Sequence, residues 1–181
     1  MTATVKPTRS SVFEAIRAFI LSVLDTEVVQ GRDNLVAPIK NGVVITPLFQ
    51  SRLSTNLHSY FDPVTEVGTE TTTAGVRLTI QIDCYGPAAA EYATILSTLW
   101  RDEIACTAMG EGVQPLDADE ASALSFTSPD DAAFVPRWMI TARLQYNPEV
   151  VTPMEFFDQA GPVKTVADVV IPSGIEIVPI L

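Results

Sequence analysis

The sequence predicts an α+β fold: a mainly antiparallel, mixed sheet flanked by two helices, with an extended hairpin arm and a C-terminal β arm. Three observations predict it. Val76, Leu78, Ile80, Ile82 and Cys84 alternate with Arg77, Thr79, Gln81 and Asp83, the period of two that marks a strand with one buried and one wet face. After Gly86-Pro87, helix formers run about 23 residues to Met109, roughly 35 Å at about 1.5 Å per residue. Nearer the start, Val12, Ile16, Phe19, Ile20 and Val23 recur at helical spacing. A half-buried strand feeding a long amphipathic helix needs a sheet with helices on one face.

The elements follow in order. Residues 1–9 read as a loose terminus. Ser11 and Glu14 have the spacing of a capping box, so the first helix is expected over 12–24. A short strand is expected from Glu27 to Gln30, then a turn at Gly31-Arg32-Asp33-Asn34. Lys40-Asn41-Gly42 is a turn signal, and Val43 to Leu53 a second strand in which Pro47 marks an edge, a bulge or an interruption. Ser54-Thr55-Asn56 reads as an irregular joint before a strand over Leu57–Val64. The threonine-rich stretch from Thr65 to Gly75 completes a long twisted hairpin arm.

The organising strand Val76–Cys84 comes next, then the long helix. Its apolar face is expected to be Tyr92, Ile95, Leu96, Leu99 and Trp100, and Gly110 and Gly112 end it. Val113–Leu116 reads as a short strand, Asp117–Glu120 as an acidic loop or short helix, and Ser122–Thr127 as a further strand. Ser128-Pro129-Asp130-Asp131 is a turn or helix start. Phe134 to Tyr146 alternates again and stops at Asn147-Pro148. Beyond it, Val166, Val169, Val170, Ile171, Ile175, Ile177, Val178 and Ile180 form a β-branched tail too apolar to lie exposed as a single strand. It must pair within its own sheet or add to another chain; we expect a neighbouring subunit. The expected division is a domain over 1–150 and an extended arm over 151–181.

At 181 residues the chain can bury one sizeable core, and 47% apolar residues argue against disorder throughout. No run reaches the roughly 18 apolar residues of a membrane helix. The start lacks the apolar core of a signal peptide, so the protein is expected in the cytosol when made. Charge is uneven. Residues 1–60 carry six Lys/Arg against four Asp/Glu, a net of +2, whereas 61–181 carry five against eighteen, a net of −13. From Asp102 to Asp131 there are eight acids and no base. Such a surface repels phosphate, which disfavours direct DNA binding but lets DNA slide past.

Catalytic chemistry has little to build on. His58 is the single histidine and reads as a surface or turn residue. Cys84 and Cys106 lack the spacing of a zinc site and read as buried thiols. Asp130-Asp131 and Asp117-Ala118-Asp119-Glu120 could hold a cation or do acid–base work, but neither has the calcium-loop pattern. No phosphate loop, dinucleotide fingerprint or nucleophile elbow is present. We expect no enzyme, no metal and no cofactor. Arg52, Arg77, Arg101, Arg137 and Arg143 are the candidates for contact with a partner, because the planar guanidinium binds carboxylates bidentately. Salt bridges within one subunit are the alternative.

The element order resembles that of the tail- and neck-terminator proteins of tailed bacteriophages. The run from Phe19 to Asn34 (FILSVLDTEVVQGRDN), then Val43 to Asn56 (VVITPLFQSRLSTN), is similar to the neck-terminator family of phages with contractile tails. Ile80 to Pro87 and the strand from Arg137-Trp138 to Tyr146-Asn147 fit the same pattern; the likeness spans about residues 10–150. It implies a virion protein, assembled in the host cytoplasm, that forms a homo-hexameric ring at the head-proximal end of the tail. Such a ring stops growth of the tube, and of the sheath, and meets the neck or connector protein while DNA passes through without specific binding. On that reading Val169, Ile171, Ile175 and Ile177 serve subunit contacts alongside the five arginines, and Asp117, Asp119 and Glu120 face the lumen. The alternatives are a head–tail connector on the capsid side and, more remotely, a small acid-dependent hydrolase.

Overall fold

The computed structural model describes residues 2–31, 39–63, 67–127 and 134–155. The expected α+β architecture is present, with three helices among the described residues instead of two. Elements in chain order are β1 (Thr4–Lys6), α1 (Arg9–Val23), β2 (Val28–Gln30), β3 (Gly42–Arg52), β4 (Leu57–Phe61), β5 (Gly68–Thr73) and β6 (Val76–Tyr85). Then come α2 (Ala89–Leu99), α3 (Glu103–Met109), β7 (Val113–Ala118), β8 (Ser122–Thr127), β9 (Phe134–Tyr146) and β10 (Glu149–Met154).

The strands form two sheets. The main one has the order β2-β3-β6-β9-β7, with β8 also paired to β9; the arm sheet has the order β1-β10-β5-β4. Among the described residues, β2–β3 is the one parallel pair. Three strands run out of the main sheet and into the arm. β3 leads to β4, β5 to β6 and β9 to β10, and their neighbours are kept: β3-β6-β9 on one side of the joint, β4-β5-β10 on the other. One three-stranded ribbon therefore passes through a joint at residues 53–56, 74–75 and 147–148. Backbone bonds cross it, from Leu53 N to Gly75 O at 2.8 Å and from Ala74 N to Pro148 O at 3.2 Å. A side chain at Gly75 would place its Cβ 2.9 Å from Ser54 Oγ, so the strands meet most closely where that position stays bare.

The core lies between the main sheet and the helices. Ile45, Leu78, Ile80, Ile82, Cys84, Ile140, Ala142 and Leu144 face Val12, Ile16, Phe19 and Ile20 of α1 and Ala93, Leu96 and Trp100 at the α2 end. The expected register of the organising strand is thus observed, with Cys84 inward. Pro47 sits beside a register shift between Pro47 and Phe49, beyond the reach of short β2, where its missing N–H interrupts no second ladder.

Several expectations need correction. Residues 4–6 are not loose: β1 adds antiparallel to β10 through Thr4↔Val151 and Lys6↔Glu149. Thr8, not Ser11, caps α1. Its side chain accepts from Ser11 N, and Ser11 Oγ returns a bond to Thr8 O at 2.8 Å, so the helix starts one turn early. Asp117-Ala118, expected in a loop or short helix, continues β7, whereas Asn147-Pro148 ends β9 as expected and the chain resumes as β10 in the arm sheet.

The single long helix is two. Asp102 takes an extended backbone (φ −77°, ψ 161°), and its carboxylate accepts from Ile104 N at 3.4 Å, capping α3. A good cap inside a helical run restarts the helix, and periodicity alone does not reveal it. The inward stripe is also rotated. Ala89, Ala93, Leu96 and Trp100 are buried, whereas Ile95 is exposed, because the alanines let α2 approach the sheet closely. Trp100 anchors the break. Its ring meets Phe19 edge-on at 5.7 Å between centroids, and its indole N–H donates to Arg143 O at 3.0 Å.

Trp100 is fully buried, so Trp100→Ala should destabilise the chain by roughly 3–5 kcal/mol. Trp100→Phe, which keeps a ring and loses the hydrogen bond, should cost less than half of that. Urea denaturation of both variants checks the ranking; equal losses would mean the ring does not matter.

Candidate interaction surfaces

The five arginines do not form one patch. Cross-strand register puts Arg77, Arg137 and Arg143 on the main-sheet face turned away from the helices, in rows with Ser51 and Gln145, with Tyr85, and with Thr79 and Asp117. Arg52 is exposed at the end of β3, beside the joint, and Arg101 is exposed in the α2–α3 break.

Among the described residues, two of the five form ion pairs within the subunit. Arg137 donates through Nε and Nη2 to Asp83 Oδ1 at 3.0 and 2.9 Å, and its guanidinium lies 5.6 Å from the Tyr85 ring. Asp83 is only 3% exposed and also accepts from Gln81 at 2.8 Å, so its charge is neutralised and hydrogen-bonded where water is excluded. Arg143 donates to Asp117 Oδ2 and to both oxygens of Asp119, at 2.9 and 3.3 Å for the latter. These bonds, first the ones Asp119 accepts and then the one Asp117 accepts, push the Arg143 pKa further up. The acidic trio named for a lumen therefore includes two acids that share one arginine; Glu120 is exposed beside them. Arg77 has a neutral partner, Ser51 Oγ at 3.3 Å. Val169, Ile171, Ile175 and Ile177 lie outside the described residues, as do Asp130 and Asp131.

Composition and periodicity did not point to the arm as a surface. No residue of β1, β4 or β10 is buried, and in β5 only Gly68 is. Leu57 is 70% exposed and Phe61 66%, and the register sets both on one face with Val151 and Pro153. His58 lies on the opposite face, with Nδ1 2.8 Å from Glu70 Oε1 and 3.3 Å from Thr72 Oγ1, an exposed cross-strand cluster. The available signal was the absence of a partner for Leu57 and Phe61 in a threonine-rich hairpin. Hollows lie along α1, one of them against β2 and one at each end. The one at the joint has a volume of about 480 Å³ and is lined by Val5, Pro7, Arg9, Phe49, Gln50, Tyr146 and Pro148. The one at the far end, about 440 Å³, lies between the end of α1 and the start of α3.

The model of the phage neck terminator protein family matches residues 10–171. The chain belongs to this family. Membership makes it a structural component of a phage neck, and hence of the virion. The match extends past the residues on which the resemblance was read. No curated protein matches the chain.

Among the described residues of this neck terminator protein, no three His, Cys, Asp or Glu side chains converge as a metal cage, and no helix is long and apolar enough to cross a membrane. Cys84 is not a nucleophile at neutral pH. Burial first, and the Asp83 charge next to it, push its thiol from 9.0 to about 12. The sign follows directly. Above pH 9 the unfolded thiol ionises while the folded one does not, so stability is complete below pH 9 and is lost as the pH rises towards about 12. Tyr85, raised chiefly by burial, acts in the same direction. Denaturation midpoints from pH 8 to 11 should fall more steeply for the wild type than for Cys84→Ala; parallel slopes would exclude Cys84 as a source.

Proposed function

We propose that the chain forms a six-membered ring that caps the head-proximal end of the tail, stops growth of tube and sheath, and joins the tail to the neck connector. The observation that carries this reading is the arm. A four-stranded sheet with neither face buried contributes almost no hydrophobic stabilisation to its own subunit, yet it exposes Leu57 and Phe61 in one row. Covering those two side chains on a partner is worth roughly 1.5–3 kcal/mol each. A sheet that becomes stable only when covered suits a protein whose work is contact. The copies of this chain and the tube protein are the partners we assign to it, with sheath and connector meeting other surfaces. The apolar C-terminal arm, with Val169, Ile171, Ile175 and Ile177, adds a strand to a neighbouring subunit. Arg52, Arg77 and Arg101 are the arginines left available for contacts between chains.

Leu57→Ser combined with Phe61→Ser should leave the melting temperature within about 2 °C of wild type, since exposed positions cost little. The same variant should lose rings by light scattering and negative stain, alone and on tail tubes. Unaltered caps on tube ends would remove the arm from the assembly. Wild-type protein that ignores tube ends and binds the portal side would move the role to the capsid.

DNA passes through the ring in this reading, along a lumen that carries Asp117, Asp119 and Glu120. With Arg143 among them the group keeps a net charge of −2, enough to repel phosphate weakly. Lysine at Asp117 or Asp119 would break the Arg143 contacts, so Glu120→Lys is the cleaner probe. It should slow DNA ejection from assembled virions, most at low salt. Ejection at the wild-type rate would place Glu120 away from the DNA path.

A further inference from the structure

We infer that neighbouring copies meet head to tail through the two ends of α1: the joint end of one copy seats against the α1–α3 corner of the next. This rests on the ring reading above and names the surfaces that close it.

The two ends differ in charge, and each exposes a large apolar side chain. The joint hollow is mixed: Val5, Pro7, Phe49 and Pro148 share its lining with Arg9, Gln50 and Tyr146, and Phe49 is 59% exposed. Lys6 and Arg52 flank the joint segments in sequence, so that with Arg9 and against Glu149 the net is +2. Lys6, Arg9 and Arg52 make no ion pair among the described residues. At the other end of α1, Ser22, Ile104, Thr107 and Ala108 line a hollow with Asp102 and Glu103, and Ile104 is 47% exposed. Asp25 follows α1 there, and Arg101 precedes the acids, for a net of −2.

Arg9 and Ser22 are about 20 Å apart along the helix, at about 1.5 Å per residue. Opposite charges on opposite ends cannot pair within one copy, and two joint ends repel each other. Joint to corner is the arrangement that joins unlike charges and covers Phe49 and Ile104 together. A contact between different patches on identical subunits is heterologous, and it closes into a ring when the rotation permits. The apolar centre with a charged rim is ordinary interface anatomy. The uneven charge of the chain thereby becomes a means of ordering copies, because like-charge juxtaposition discriminates against wrong docking.

The test uses the full chain in two one-sided variants. Arg9→Glu with Arg52→Glu makes both ends acidic. Asp102→Asn with Glu103→Lys makes both ends basic and keeps a capping side chain at 102. Each alone should lose rings in light scattering and negative stain while retaining the wild-type melting temperature. Mixed in equal amounts, they should recover rings of even number in which the two variants alternate, visible by native mass spectrometry as a single ring mass that holds equal numbers of the two variants. Rings formed by either variant alone would overturn the contact while leaving the ring reading standing. Folded variants that fail to complement each other would overturn it equally. Wild-type protein that forms no ring, alone or on tubes, would remove the ring reading and this contact with it.

Discussion

The chain from Gly68 to Tyr85 serves two sheets at once, and the rest of the structure follows from that. On one side of Gly75 it is the central strand of a sheet with a full core. On the other it is an inner strand of a sheet with none. The main half is held by burial: Leu78, Ile80, Ile82 and Cys84 are nearly or fully inaccessible, each side chain worth on the order of 2 kcal/mol. The arm half inherits its geometry from that strand. Its backbone bonds continue the ladder, but its side chains do not stabilise it, so the well-packed half supplies what order the arm has.

The polar face of the main sheet divides along the same line of reasoning. Arg137 with Asp83 is a pair that tolerates no unilateral change, since removing the arginine strands a carboxylate that water cannot reach. The Arg143 cluster is different. Its two aspartates are about half exposed, with side chains at 46% and 53%, and water competes for them, so its worth to stability is about 0–1 kcal/mol. Its geometry is more informative than its energy. Arg143 also accepts the Trp100 N–H on its carbonyl, which ties the helical break to the row of charges on the opposite face. One residue of β9 thus registers the helix layer against the sheet.

Most strands were readable because burial of one face imposes a period of two, and β6, β9 and β3 came out with nearly the observed limits. The failures have a common physical source. The break at Trp100–Asp102 depends on a cap that overrides helix propensity once Trp100 is anchored between Phe19 and β9. The strand at Thr4–Lys6 exists because β10 offers an open edge, which no local pattern announces. Among the surface residues, Arg137 and Arg143 stand on the same strand and look equivalent in sequence, yet their partners lie far away in the chain, at Asp83 and Asp117–Asp119.

The sequence by itself determined which side chains seek the interior, the ends of the main strands, the imbalance of charge and the resemblance to a neck terminator. These are local or cumulative properties, carried by alternation, turn chemistry and composition. Only the tertiary structure decided that the hairpin arm becomes a four-stranded sheet without a core, that the acids after α3 are shared with Arg143, and that Arg9 lines the joint hollow while Asp102 and Glu103 line the one at the far end of α1. Those outcomes require residues distant in the chain to meet, and which distant residues meet is set by the one packing arrangement that buries the core.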